Sequence, residues 1–267
     1  MVTAGVDVGA ITAKAAILRD GELLASAIIM AGYDRAAAAR QVLDQALAQA
    51  KLAREQVACL VATGYGRVQV PGADRSVTEI TCHARGAHHL CPDVRTVIDI
   101  GGQDSKGIAV GSGGRVVDFV MNDKCAAGTG RFLEVMAHAL EVDLADFGAL
   151  ALSAARRAKI SSTCTVFAES EVVTHLAAGT PRPEVVAGIH EAIAARVATM
   201  LGRIPVKDAV VLTGGVARNA GVARMLGERL GHTIVVPEQA QLAGAIGAAL
   251  IAGGASREVA AGVEAEA

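Results

Sequence analysis

The segments Ala4-Gly-Val-Asp-Val-Gly9 and Arg95-Thr-Val-Ile-Asp-Ile-Gly101 read as two copies of one short β-strand that ends in an Asp-x-Gly turn. In each copy a lysine follows the aspartate at the same spacing, Lys14 after Asp7 and Lys106 after Asp99. An internal duplication is the simplest explanation of this recurrence, and a chance similarity of two short segments is the alternative. The sequence therefore predicts two similar halves, each built around the strand that carries its aspartate.

The residues after each copy predict a β-meander and not a βαβ unit. Further strands are expected at 14–18 and 23–29, and again at 107–110 and 115–120, separated by Asp-Gly or Gly-Gly turns. Amphipathic helices are predicted at 34–50, 79–89, 130–140, 167–177 and 184–201. Mixed sheets covered by helices, present twice, predict an α/β protein of two similar domains with a cleft between them.

We place the domain boundary near Cys91-Pro92, where the second copy of the pattern is about to begin. The first domain is expected to comprise residues 1–92 and a C-terminal helix at about 240–262. The second domain, residues 93–239, would then carry Cys125 and Cys164, the candidate cluster cysteines.

Composition excludes several classes of function. The chain has 267 residues, a net charge of −2, scattered lysines and arginines, and only 2% aromatic residues, so a nucleic-acid partner is not expected. The N-terminus lacks the basic segment of a signal peptide, and the longest uncharged stretch, 242–256, is too short to span a bilayer. We therefore expect a cytoplasmic protein without a membrane anchor.

The two Asp-x-Gly turns are the candidate phosphate-binding loops, because neither a P-loop nor a Gly-x-Gly-x-x-Gly cradle is present. Backbone N–H groups at 9–12 and 101–104 would surround an anion, while Asp7 and Asp99 would bind Mg²⁺ through water. The expected contacts are Gly9, Ala10, Ile11, Thr12, Ala13, Lys14, Gly101 and Gly102. The alternative is that each Asp-x-Gly is only a strand-ending turn.

A third element, residues 210–219, reads as a buried strand that opens into Gly214-Gly215, where a flat nucleobase can approach the backbone. Asn219 and Gln239 complete the expected nucleotide contacts. Taken in order, the three elements resemble the phosphate 1, phosphate 2 and adenosine motifs of the actin/hexokinase/Hsp70 superfamily, also described as ribonuclease H-like, and residues 242–255 resemble its closing helix. That resemblance makes Gln103 and Asp104 the candidates for orienting the attacking water.

Two cysteines, Cys125 and Cys164, are each followed by an apolar pattern of helical spacing. A thiolate at a helix N-terminus is stabilised by the positive end of the dipole, which favours metal binding. A 4Fe-4S cluster takes four thiolates, and one chain offers only two in this setting, so a two-fold dimer would share one cluster. The alternative is that both are buried structural thiols, as free cysteines commonly are.

The remaining cysteines, Cys59, Cys82 and Cys91, are interpreted as structural. The grouping of Cys82 and His83 with His88 and His89 also suggests a metal site, but these positions do not all lie on one face of a helix.

Seven motifs closely resemble the activator ATPases of 2-hydroxyacyl-CoA dehydratases, a family that includes the ATPase subunits of benzoyl-CoA reductases. They are Gly5–Gly9, Ala62–Arg67, Glu79–Ala84, Ile98–Asp104, Asn122–Phe132, Ser161–Glu171 and Thr213–Ala217. In this family the cluster lies at a dimer interface, held by cysteines that match Cys125 and Cys164. One departure is that Ala10 and Ile11 stand where the family usually has a hydroxyl residue.

The resemblance implies an anaerobic, ATP-hydrolysing electron-transfer protein with a 4Fe-4S cluster, ATP or ADP, and Mg²⁺. Its expected partners are a second protomer, identical or related, a dehydratase or reductase that receives the electron, and ferredoxin or flavodoxin as donor. Two other functions stay open: a sugar or acid kinase on the same fold, and a nucleotide-switched scaffold or chaperone. A brown colour after anaerobic purification would separate the three.

Overall fold

The computed structural model describes residues 1–161 and 164–265. Its strands are β1 Val2–Val8, β2 Thr12–Arg19, β3 Glu22–Met30, β4 Cys59–Thr63, β5 Arg75–Ser76, β6 Thr96–Ile100, β7 Ser105–Val110, β8 Val116–Asn122, β9 Val210–Thr213 and β10 Ile234–Val235. Its α-helices are α1 Arg35–Ala50, α2 Glu79–Leu90, α3 Gly130–Ala139, α4 Leu144–Leu152, α5 Thr165–Ala177, α6 Arg182–Leu201, α7 Ala220–Leu230 and α8 Ala243–Ala265.

The chain divides into two units, each with one five-stranded sheet. The first unit comprises Met1–Pro92, Gly111–Val116 and the residues from Gln241 onward. The second comprises Asp93–Val110 and Val117–Ala240. The first unit therefore contains α1, α2 and α8, and the second contains α3 to α7.

The two sheets have the same topology. Their strand orders are β3-β2-β1-β4-β5 and, read from the corresponding edge, β8-β7-β6-β9-β10. In each sheet the aspartate strand is antiparallel to the next strand and parallel to a later one. The register also agrees, because Asp7 pairs with Lys14 and Asp99 pairs with Lys106. The predicted α/β fold with two mixed sheets is confirmed, and the shared topology supports a duplication.

In the first unit, helices cover both faces of the sheet. α1 packs its buried face, including Val42 and Leu43, against the strand residues Val6 and Ile17. α8 packs against β1, β2 and β4 and also against α2. The two helices approach closely, since a Cβ on Gly247 would overlap the carbonyl oxygen of Cys82. This close contact depends on glycine because a larger residue would push α2 away from α8.

The second unit has one large apolar core. Ile98 and Ile100 of β6 pack with Phe132 and Met136 of α3, and with α4, α6 and α7 around them. Helical spacing aligns Phe132, Val135, Met136, Ala139 and Leu140 in the third helix; Phe132, Met136 and Leu140 are buried, and Val135 and Ala139 are partly buried. For α5 the spacing places Val166, Val173 and Leu176 on one face, but Val166 and Val173 are exposed, and the helix buries Ala168 and Val172 instead.

Several elements were not predicted from the sequence, namely β4, β5, β10, α4 and α7. The strands are short, and two of them have only two residues. α4 has Gly148 at its centre, which lowers helix propensity, and the glycine is needed because a Cβ there would approach Asn219 Oδ1 to 2.6 Å.

Across the described residues, every helix is too short or too polar to cross a bilayer.

Candidate functional site

The loop between β1 and β2 is a tight turn held by an arginine. Gly9 N donates to Thr12 O at 3.0 Å, and Arg35 Nη1 donates to Gly9 O at 2.8 Å and to Ala10 O at 2.9 Å. Because a trans peptide directs its N–H opposite to its C=O, the N–H groups of Ala10 and Ile11 point away from the guanidinium. Neither N–H donates a hydrogen bond to any described residue. The loop therefore presents two consecutive amides suited to an anion.

The loop between β6 and β7 has the same turn but a different support. Gly101 N donates to Asp104 O at 2.9 Å, as Gly9 N does in the first unit. The carbonyls of Gly101 and Gly102 accept from the backbone N–H groups of Gly130 and Arg131, both at 2.8 Å. These donors are the first two residues of α3, so this phosphate-loop candidate is bonded directly to a helix.

In the first unit the candidate aspartate is buried and charge-paired. Asp7 is 3% exposed, and Lys14 Nζ lies 3.1 Å from its Oδ2. The neighbouring strand places Thr63 beside it, followed by Gly64 at a φ of 87°. A side chain on Gly64 would overlap Asp7 Oδ1, so the carboxylate sits directly against backbone.

The buried hydroxyl of Thr63 has no hydrogen-bond partner among the described residues. The Cys82 thiol is close enough for the hydroxyl to influence its pKa, but the two groups lack the geometry of a regular hydrogen bond. Burial raises the pKa of Cys82 to about 12, so this thiol stays protonated and is not suited to bind a metal. Cys59 is also buried, and Cys91 is partly exposed.

In the second unit the corresponding charges form a larger cluster. Lys106, 1% exposed, lies 3.3 Å from Asp99 Oδ2 and 2.8 Å from Asp104 Oδ1. Thr213 Oγ1 donates to Asp99 Oδ1 at 3.0 Å. Asp104 is therefore held by Lys106, whereas the side chain of Gln103 is exposed. Of these two candidates, Gln103 has the greater freedom to reach a water molecule.

The predicted adenosine element follows β9 in the second unit. Gly214 has a φ of 87° and donates its N–H to Ala240 O at 3.2 Å, next to the partly buried Gln239. Gly215 is exposed and begins a short 3-10 turn, and Asn219 caps α7. A side chain on Gly214 would lie 2.7 Å from Asp99 Oδ1, so the second phosphate loop and this element meet at the aspartate.

A buried histidine holds Asn219. His190 Nδ1 donates to Val186 O at 2.8 Å, which leaves Nε2 to accept from Asn219 Nδ2 at 3.0 Å. Asn219 Oδ1 in turn accepts from Val222 N at 3.1 Å, the cap of α7. Burial lowers the pKa of His190, so the imidazole is neutral. Asn219, which the sequence analysis counted among the expected nucleotide contacts, is thus engaged by His190 and by the start of α7.

The two candidate cluster cysteines lie in the second unit, each partly exposed. Cys164 is the N-cap residue of α5 and makes no side-chain cap hydrogen bond. Cys125, however, is not at a helix N-terminus, and that prediction is wrong. Asn122 Nδ2 donates to Cys125 O at 2.9 Å and to Ala127 O at 3.1 Å, which forms a separate loop before α3 begins at Gly130.

The helices α3 and α5 that follow these cysteines contact each other. In the described parts of the chain, no three His, Cys, Asp or Glu residues are grouped so as to hold a metal ion.

Four residues of the site escaped prediction: Arg35, Thr63, Thr213 and His190. The repeat contained a signal for two of them, because Thr63-Gly64 and Thr213-Gly214 occupy equivalent positions beside the two aspartates. Arg35 and His190 have no counterpart in the repeat and are recognised only from their contacts.

Comparisons with known proteins agree with this architecture. A 2-hydroxyisocaproyl-CoA dehydratase activator from Clostridioides difficile is 46% identical over 94% of this chain and 95% of its own length. The (R)-2-hydroxyglutaryl-CoA dehydratase activating ATPase of Acidaminococcus fermentans is 48% identical over 94% and 96%. One of the subunits of a benzoyl-CoA reductase from Thauera aromatica is 32% identical over 93% and 92%.

Solved structures show the same relationship. Component A of the (R)-2-hydroxyglutaryl-CoA dehydratase from Acidaminococcus fermentans has a TM-score of 0.93 at 46% identity, covering 96% of this chain and 99% of its own. The activator of the 2-hydroxyisocaproyl-CoA dehydratase from Clostridium difficile, solved with bound ADPNP, has a TM-score of 0.92 at 44% identity and 97% coverage of both chains. A ROK family glucokinase from Streptomyces griseus, 14% identical with a TM-score of 0.58 over 95% of this chain and 100% of its own, shares the fold alone.

The family description that matches is "BadF/BadG/BcrA/BcrD ATPase family", and the match extends over residues 4–252. Since this range includes both aspartate loops, both candidate cysteines and the start of α8, the chain belongs to the BadF/BadG/BcrA/BcrD ATPase family.

Proposed function

We propose that this chain is an ATP-hydrolysing activator that delivers low-potential electrons, one at a time, from a 4Fe-4S cluster to a 2-hydroxyacyl-CoA dehydratase. Family membership and the names of the relatives at 46% and 48% identity support the activator role. The observation that carries the proposal is in the second unit, where a phosphate-loop candidate is hydrogen-bonded to the helix that follows Cys125.

ATP binding is assigned to the two aspartate loops and the element after β9. The consecutive amides at Ala10 and Ile11, and those at Gly102 and Gln103, would donate to phosphate oxygens. Asp7 and Asp99 would hold Mg²⁺ through water, since carboxylate oxygens are the ligands that this ion prefers. The lysine beside each aspartate adds a positive charge near the phosphates.

The roles of the remaining site residues follow from their positions. Gly214, Gly215 and Gln239 would line the adenosine, with Asn219 at the start of α7 next to them. The exposed Gln103 would orient the attacking water.

The cysteines fit a cluster that two copies share. Cys164 has no cap hydrogen bond to compete for its sulfur, both cysteines are partly exposed, and their helices are in contact. Two thiols from each of two protomers supply the four thiolates of a 4Fe-4S cluster, which when bound takes up and releases one electron. We therefore propose a dimer, made of two such chains or of this chain and a related subunit.

Coupling between ATP and the cysteines would run through α3. Gly130 and Arg131, the first residues of α3, donate to the carbonyls of Gly101 and Gly102. Any shift of this loop when phosphate binds or leaves must move the start of α3 or break both bonds. The loop of Cys125 ends at that point, so its position responds to the nucleotide.

The proposed electron acceptor is a 2-hydroxyacyl-CoA dehydratase, and the proposed donor is ferredoxin or flavodoxin. A benzoyl-CoA reductase is the second candidate acceptor, because one of the subunits of such an enzyme is also a relative. The higher identity to the dehydratase activators favours the first.

The cluster assignment is tested with Cys125→Ser, Cys164→Ser and the matched control Cys91→Ser, a partly exposed cysteine in the first unit. The proteins are purified without oxygen, and iron, acid-labile sulfide and visible absorbance are measured. We expect the first two variants to lose iron and electron transfer while they still bind ATP. Cys91→Ser should keep its iron and its electron transfer.

An oxygen-free wild-type preparation that binds ATP but contains no iron would contradict the proposal. A sugar or acid kinase would instead give ADP only in the presence of its substrate, from a colourless protein. Unchanged iron content in Cys125→Ser or Cys164→Ser would remove that residue from the ligand set.

A further inference from the structure

Arg35 is the side chain that ties the first phosphate-loop candidate to the rest of its unit. It is the first residue of α1, is partly buried, and donates from Nη1 to the carbonyls of Gly9 and Ala10 at 2.8 and 2.9 Å. Both N–H bonds of one guanidinium nitrogen are therefore used on adjacent peptide groups. Charge-assisted bonds of this kind are stronger than neutral ones and fix the direction of their acceptors.

The second unit shows what these two bonds accomplish. There the equivalent carbonyls, those of Gly101 and Gly102, accept from the first two amides of α3. Two structurally different donors thus restrain the same two peptide groups in the two units. Since a planar peptide directs C=O and N–H in opposite directions, each pair of bonds aims two consecutive N–H groups at the same side of its loop.

The first loop depends on this restraint more than most, because Gly9, Ala10 and Ile11 have no side chain that can hydrogen-bond. From Gly9 to Ile11, recognition of an anion therefore rests on backbone N–H groups alone, and Thr12 is the first residue with a hydroxyl. A loop whose amides are free to turn must lose that freedom on binding, which weakens the affinity.

We propose that Arg35 is a positioning residue that orients the amides of Ala10 and Ile11 toward the phosphates of the nucleotide. This rests on the proposed function, in which the loop binds ATP. Arg35 acts through the peptide groups and does not contact the nucleotide. Its removal therefore weakens nucleotide binding more than it slows the hydrolysis of bound ATP.

The experiment uses the full chain with Arg35→Ala, Arg35→Lys and the control Arg40→Ala, an exposed arginine on the same helix. Kd for Mg²⁺-ADP is measured by calorimetry, KM and kcat for ATP by phosphate release, and Tm by circular dichroism. We expect Arg35→Ala to raise Kd and KM about tenfold with kcat changed less than threefold, a loss of about 1.4 kcal/mol in binding. Arg35→Lys, which retains a charged donor, should recover part of that loss.

Arg40→Ala should match the wild type in every measurement. Arg35→Ala with a lowered Tm but unchanged Kd would overturn the inference, because the arginine would then only join α1 to the loop. The inference would also be overturned if Arg35→Ala and Arg35→Lys lowered kcat equally and left KM unchanged. A wild type that binds no nucleotide would contradict the proposed function itself, and this outcome is distinct from any effect of the Arg35 substitutions.

Discussion

In the first unit the loop after the aspartate strand is held by a single guanidinium, whereas in the second the equivalent loop is held by the first two backbone amides of α3. The surrounding parts agree: the same strand topology, the same aspartate–lysine register and a Thr-Gly pair on the neighbouring parallel strand. The loop geometry is thus retained while its support has changed.

This difference has a consequence for function. The side-chain support joins the loop to α1 only through the guanidinium of Arg35, the first residue of that helix. A backbone support joins the loop to a whole helix, and that helix follows the loop of Cys125. In the proposed function, the second unit would therefore pass a change at the phosphates to the cysteines, and the first unit would hold the nucleotide.

The largest expected difference between the units comes from the lysines that pair with the two aspartates. Lys106 is 1% exposed and lies between the carboxylates of Asp99 and Asp104, while the side chain of Lys14 is 12% exposed and pairs with Asp7. Lys106→Met should lower the free energy of unfolding by about 3–5 kcal/mol, because the carboxylates of Asp99 and Asp104 then lose the cation that lies between them. Lys14→Met should cost less, and urea unfolding followed by circular dichroism measures both.

Adding Asp99→Asn to Lys106→Met should restore part of the lost free energy of unfolding, since one of the two negative charges is then removed. Equal losses in the two lysine variants would show that the clusters are equivalent despite their different burial. That result would contradict the proposed difference between the two units.

The repeat itself was the part of the fold that the sequence predicted best. Asp7 with Lys14, and Asp99 with Lys106, are close in sequence, and antiparallel neighbours pair across one short turn. The strands that escaped, β4, β5 and β10, are defined by pairing with partners elsewhere in the sequence. β5, for example, has two residues and is defined only by its pairing with β4.

The same distinction applies to the candidate site. Its loop residues could be proposed from the sequence because their motif is local, while the hydrogen bonds that restrain the loops come from remote positions such as Arg35 and Gly130. The start of α3 at Gly130 was predicted correctly, but Cys125 was placed too close to it. The residues in between form a loop in which Asn122 donates to the carbonyls of Cys125 and Ala127, a contact that the helical pattern does not reveal.

A smaller effect is expected from the threonines beside the aspartates. Thr213 Oγ1 donates to the buried Asp99, so Thr213→Val should lower the free energy of unfolding by about 1.5–3 kcal/mol, the range for a hydrogen bond to a charged group. The hydroxyl of Thr63 is buried without a described partner, so Thr63→Val should be neutral or slightly stabilising.

Because the two substitutions are chemically identical and the two positions equivalent in the sheets, each is the control for the other. The same urea unfolding experiment measures both. A loss above about 1.5 kcal/mol in Thr63→Val would mean that its hydroxyl has a partner as strong as that of Thr213.

The smallest effect concerns pH and belongs to the second unit. α2 of the first unit is capped by the exposed Thr78, whereas α7 is capped by Asn219, which a buried neutral histidine holds in place. Burial lowers the pKa of His190 below its ordinary value near 6.5. As pH falls below about 6.5, the unfolded chain takes up a proton at this residue that the folded chain does not.

The free energy of unfolding should therefore decrease as the pH is lowered from about 6.5, by at most about 1.4 kcal/mol per pH unit, until the lowered pKa of the folded state is reached. His190→Gln removes the titrating group and should flatten this slope, although it also costs stability at every pH. The control is His138→Gln, on α3, which leaves the buried imidazole in place. If the slope is equally steep in wild type and His190→Gln, the acid sensitivity comes from other titrating groups.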